Sequence, residues 1–107
     1  MTRFRALATA AVFAPLIAAG SPAVAAQTHT IAIEGMQFAP AAVTVKRGDT
    51  IVWVNRDLVP HTVTARGAFD SGPIAAGKAW KMTAKAEGRY EYVCTLHPTM
   101  KATLAIE

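Results

Sequence analysis

The sequence predicts an all-β protein, a sandwich of about seven to eight short strands. Three observations predict it. Apolar and polar residues alternate at period two in segment after segment beyond residue 27, and β-branched or aromatic side chains fill those segments. Turn-forming clusters at "RGD", "NRD", "RGAFDSGP" and "AEGR" separate them. No segment keeps an apolar period of 3.6 residues long enough to define a helix. In order, "THTIAIEG" puts Ile31 and Ile33 on one face, and "AAVTVKRGD" does the same with Val43 and Val45. "TIVWVNRD" aligns Ile51, Trp53 and Asn55 against Val52 and Val54. "HTVTARG", "KAWKMTAKAEG", "RYEYVC" and "KATLAIE" complete the set. Short strands at this spacing pack as two facing sheets or a barrel.

The first 26 residues stand apart. Arg3 and Arg5 precede an apolar run from Ala6 to Ala19, which Gly20, Ser21 and Pro22 end before the small residues "AVAA". This is the three-part pattern of a secretory signal, and the run is shorter than the roughly 18 residues a membrane span needs. Cleavage is expected after Ala25 or Ala26, placing one domain over residues 27–107 in the periplasm. The arginines are not adjacent, so nothing suggests the twin-arginine route. The 52% hydrophobic content of the whole chain is therefore inflated by the leader. Of 11 basic residues, nine follow the leader against seven acidic ones, so the net charge falls from +4 to +2. Scattered basic residues at this balance do not suit nucleic acid.

A domain of roughly 80 residues is marginal without a staple. The chain has one cysteine, Cys94, so no internal disulfide forms, and a bound metal is the other common device. Cys94 opens "CTLHPTM", with His97 three residues on and Met100 three further. A third strong ligand must come from His29 or His61. His61 follows a turn and a proline at the start of a strand. Two imidazoles, a thiolate and a weak thioether make the donor set of a blue-copper electron-transfer site. Singly, each residue has an ordinary reading: a small buried thiol, a core methionine, a strand-end histidine with a satisfied ring. Together at this spacing they point to metal.

Other chemistries fit less well. A cysteine hydrolase needs a separate base and an orienting Asn or Asp. Zinc could use Cys94, His61 and His97 but would leave Met100 idle. A copper-storage or delivery protein uses the same ligands and typically adds clustered Met or His, whereas Met36, Met82 and Met100 are scattered. A multicopper enzyme needs more than three histidines. Cleavage after Ala26 would also set His29 third from a free amine, a nitrogen set that can bind Cu(II). The plainer reading of His29 is a polar strand residue.

"VKRGDTIVWVNRDLVPHTV" and "EGRYEYVCTLHPTMKATLAIE" resemble the two ligand-bearing segments of the cupredoxins, and among them of the amicyanins, whose short C-x2-H-x2-M loop is matched. The resemblance covers the chain beyond the leader. It implies a Greek-key sandwich holding one copper, Cu(I)/Cu(II), through His61, Cys94 and His97, with Met100 as axial ligand. It implies a monomeric electron carrier between a donor and an acceptor redox protein, transiently bound, and no catalysis. It further implies a docking ring of Val59, Pro60, Leu96 and Pro98, with Met36 at its margin. Leu96, Thr62 and Thr99 replace the family's proline, asparagine and phenylalanine. Leu96 adds a backbone N–H that could face the Cys94 sulfur.

Overall fold

The computed structural model describes residues 2–3, 8–15 and 24–107, and much of the expected signal segment lies outside them. Nine strands follow one another: β1 Thr28–Glu34, β2 Gln37–Ala39, β3 Ala42–Val45, β4 Thr50–Asn55, β5 Thr64–Ala65, β6 Phe69–Asp70, β7 Ala79–Thr83, β8 Gly88–Cys94 and β9 His97–Ile106. They form two sheets, one ordered β2-β1-β4-β7 and the other β3-β9-β8-β5-β6. The β1–β4 and β3–β9 pairings are parallel, and the other strand pairings are antiparallel.

The alternation in the sequence becomes the core between the sheets. Along β4, Ile51, Trp53 and Asn55 face inward while their neighbours are half exposed. Ile31 and Ile33 of β1 join them from the same sheet. Tyr92 of β8 and Leu104 of β9 meet them from the other. Each fully buried aliphatic side chain contributes about 1.5–3 kcal/mol. Trp53 donates its indole N–H to the Tyr92 hydroxyl at 3.2 Å, and the two rings meet edge-on at 5.7 Å. This contact pins one sheet to the other across the core.

The expected strands are present, with three differences. β2 and β6 are additional, short enough that period-two alternation had no length in which to show. "HTVTARG" is mostly irregular, and only Thr64 and Ala65 join a sheet. His61 instead makes an isolated bridge to Ile74, with its N–H on the Ile74 carbonyl at 3.2 Å and the reverse bond at 2.7 Å. The last strand runs back to His97, where it pairs with Cys94 across the turn. A register shift between Val93 and Cys94 interrupts that ladder, and such bulges re-aim side chains at sheet ends.

Candidate metal centre

Three of the predicted ligands converge at one end of the sandwich. Their candidate ligand atoms, on His61, Cys94 and His97, lie within 4.8 Å of one another, the one such group among the described residues. The Cys94 Sγ is 3.7 Å from His61 Nδ1 and 3.5 Å from His97 Nδ1. A tetrahedral or trigonal ion with sulfur at about 2.3 Å and nitrogen at about 2.0 Å sets such atoms roughly 3.5–3.7 Å apart. The donor set therefore fits an ion of copper or zinc size without rearrangement. The two imidazoles stand at 57° with centroids 4.9 Å apart. His61 and Cys94 are fully buried, whereas His97 is partly exposed. Met100 is buried on β9, three residues beyond His97.

Local structure holds each ligand in place. Cys94 ends β8 and His97 begins β9, so a two-residue turn carries both. His61 is reached by a loop that Asn55 braces. The Asn55 amide donates to the Val59 and Ile74 carbonyls, each at 2.9 Å, and its oxygen accepts the Asp57 N–H at 3.0 Å. Asp57 then accepts the His61 ring N–H at Nε2, 2.8 Å away. A carboxylate only accepts, so this bond assigns the proton to Nε2 and leaves the Nδ1 lone pair facing Cys94. Asp57 also accepts the N–H groups of Gly35 at 2.7 Å and Met36 at 3.0 Å. Burial pushes its carboxyl up, but these N–H groups and His61 outweigh it and hold the carboxyl below its ordinary range.

The sulfur's hydrogen bond comes from an unforeseen donor. The Thr62 N–H reaches Cys94 Sγ at 3.3 Å, and the Leu96 N–H does not bond there. Thr62 also ties the two ligand segments together, its hydroxyl accepting the Thr95 N–H at 2.8 Å and meeting the Thr95 hydroxyl at 3.1 Å. The threonine in the family's asparagine position thus acts as a cross-link. His29 lies outside the cluster, its Nε2 2.9 Å from Asp49.

The residues expected to ring the site are at the surface. Val59 is 41% exposed, Leu96 52%, and Pro60 and Pro98 are exposed as well. Met36 belongs with them at 41%, and so does Leu58, at 95% the most exposed apolar side chain of this end. Asp57 and Leu58 escaped the sequence reading, and Thr62 entered it only as a departure from the family pattern, not as a donor to the sulfur. Asp57 read only as part of a turn, although its spacing of four residues before His61 was visible.

Comparison with known proteins agrees with this geometry. A model of the cupredoxin-like domain matches residues 6–106, and the chain belongs to that family. Within it, the chain is 33% identical over 99 residues to amicyanin of Paracoccus versutus, covering 87% of this chain and 73% of that protein. It is 32% identical over 110 residues to amicyanin-alpha of Methylorubrum extorquens, covering 94% and 88%. A solved amicyanin carrying a methionine-to-alanine substitution, in its Cu(I) form, superposes with a TM-score of 0.72 at 28% identity, over 79% of this chain and 87% of that one.

Proposed function

We propose that His61, Cys94, His97 and Met100 hold one copper ion as a type 1 centre, and that the protein carries single electrons between redox partners in the periplasm. One observation carries the reading: a buried cysteine sulfur with an imidazole Nδ1 on either side, at 3.5 and 3.7 Å. Bound copper supplies the one-electron couple between Cu(I) and Cu(II). The chain supplies soft sulfur for the reduced state and imidazole for both. It also supplies rigidity, because Asp57 holds His61 and Thr62 holds both Cys94 and the turn that follows it. Ligands held this way move little when the charge changes, which lowers the barrier to transfer.

The amicyanin relatives support electron carriage over catalysis. Burial favours carriage over storage or delivery. Cys94 and His61 are 0% exposed, so an acceptor protein cannot reach them to take the ion. His97 is the exposed edge of the site and the natural electron exit, ringed by Leu58, Val59, Pro60, Leu96, Pro98 and Met36. Residues 1–26 serve as the export signal, a reading supported by the first strand starting at Thr28.

The test is the absorption spectrum of the purified protein with Cu(II). An intense visible band that bleaches on reduction is expected, absent in Cys94→Ala. Zinc alone or a colourless copper complex would overturn the assignment.

A further inference from the structure

Asp49 lies in the turn just before β4, bonded to residues at the start of β1, and it is 6% exposed. Its Oδ1 accepts the Gln27 backbone N–H at 2.9 Å. Its Oδ2 accepts the His29 ring Nε2 at 2.9 Å and the Lys46 N–H at 3.0 Å. The Gln27 carbonyl accepts the Thr50 N–H at 2.9 Å. Gln27 is thus fastened on both sides just before β1 begins, while Val24, Ala25 and Ala26 are exposed and outside any strand.

A buried carboxylate is stable when a cation faces it. Among the described residues no lysine or arginine reaches Asp49, and His29 is its one side-chain ion-pair partner. A permanent positive charge has a source in the chain itself. If the leader is cut after Ala26, the nitrogen already 2.9 Å from Oδ1 becomes an α-ammonium. That distance is within the range of charge-assisted bonds.

We infer that Asp49 is a socket for the α-ammonium of a mature chain beginning at Gln27. The inference rests on residues 1–26 being a cleaved signal and is independent of the copper site. It selects one of the two cleavage points the sequence allows. A chain starting at Ala26 would leave a neutral amide in the socket. The socket also opposes cyclisation of Gln27. In that reaction the free amine forms a bond to the side-chain carbonyl carbon, and the carbon's amide nitrogen leaves as ammonia. An amine held protonated by Asp49 has no lone pair for that attack.

The exported full chain is purified and its intact mass measured. The expected species begins at Gln27 and retains its ammonia. A mass beginning at Ala26, or the lactam, overturns the inference. Proteins beginning at Gln27 and at Ala26 are then compared by urea unfolding, with Asp49 and with Asp49→Asn. The extra alanine is expected to lower the folded-to-unfolded ratio about tenfold with Asp49, and to change it little with Asp49→Asn. Equal losses in both backgrounds overturn the inference. If Asp49→Asn does not fold, acetylated Gln27 removes the charge and leaves the carboxylate. Acetylation is expected to cost about the same tenfold, and an unchanged midpoint refutes the socket.

Discussion

Asp57 stands four residues before His61 and holds that ring through Nε2 at 2.8 Å. A carboxylate on the far nitrogen strengthens the near nitrogen as a donor, and a stronger donor favours Cu(II) over Cu(I). An asparagine there cannot serve all three donors, since its NH2 would meet either the ring N–H or a backbone N–H. Asp57→Asn is therefore expected to weaken Cu(II) binding about tenfold or more, in the range for such partners. Cu(I) binding should change less, so the reduction potential rises by about 60 mV for each tenfold of preference lost. Voltammetry with the visible band intact measures this, and an unchanged or lower potential would assign Asp57 a structural part only. Thr62 acts on the opposite ligand. Its N–H withdraws electron density from the Cys94 sulfur, which favours Cu(I). These two bonds push the potential in opposite directions, and both come from residues within four positions of His61.

At the scale of elements, what was legible followed the period. The inward faces of β1 and β4 could be read because each strand is long enough for alternation to repeat. The C-x2-H-x2-M loop could be read because its ligands are local in sequence. The Asp57 clamp could not, because its partners Gly35 and Met36 lie 22 and 21 residues away. Those two residues form the two-residue turn between β1 and β2, both with left-handed φ, at 61° and 60°. Such a turn matches the twist of a hairpin, and it points consecutive N–H groups at one acceptor. Met36 is a non-glycine residue held there, and the bond to Asp57 offsets part of its cost. Asp49 does comparable work at the other end of β1, joining Gln27 and His29 to the turn after β3. The Gln27 N–H, then the His29 ring, lowers its carboxyl from 3.8 to about 2. A depressed carboxyl contributes stability that is fully present above its ordinary value and is lost as pH falls through its folded value. Thermal stability should therefore decline between about pH 4 and pH 2, and this decline should flatten in Asp49→Asn. A mutant with the same acid limb as the wild type would place the titration on another group.

The whole molecule is small, and its one cysteine is free, so it has no disulfide. An ion that binds only the folded state should stabilise it by about 4 kcal/mol at a thousandfold excess over its dissociation constant. For a domain of this size each kcal/mol moves the melting point by roughly 4–8 °C. Calorimetry of the copper-free and copper-loaded forms tests this, and coincident transitions would show that the bonded frame of Asn55, Asp57 and Thr62 suffices by itself. That frame also shapes the surface. By bracing the ligand loops it leaves Leu58, Val59, Leu96 and Met36 exposed, and a cluster of exposed apolar residues is the feature expected of the docking ring proposed above. A ring of a few side chains is too small to bury the area of a permanent interface, so the redox partner proposed for it is expected to associate briefly. A charge placed in that ring obstructs association while leaving the buried ligands alone. Leu96→Glu and Leu58→Glu should each slow second-order electron transfer to a redox protein by about tenfold, within the span over which association rates vary among mutants of one interface. Transfer to a small inorganic oxidant needs no docking and should change little. If both variants pass electrons to the protein partner at the wild-type rate with an unaltered spectrum, the electron leaves by another face, and the apolar ring serves only to cover the copper.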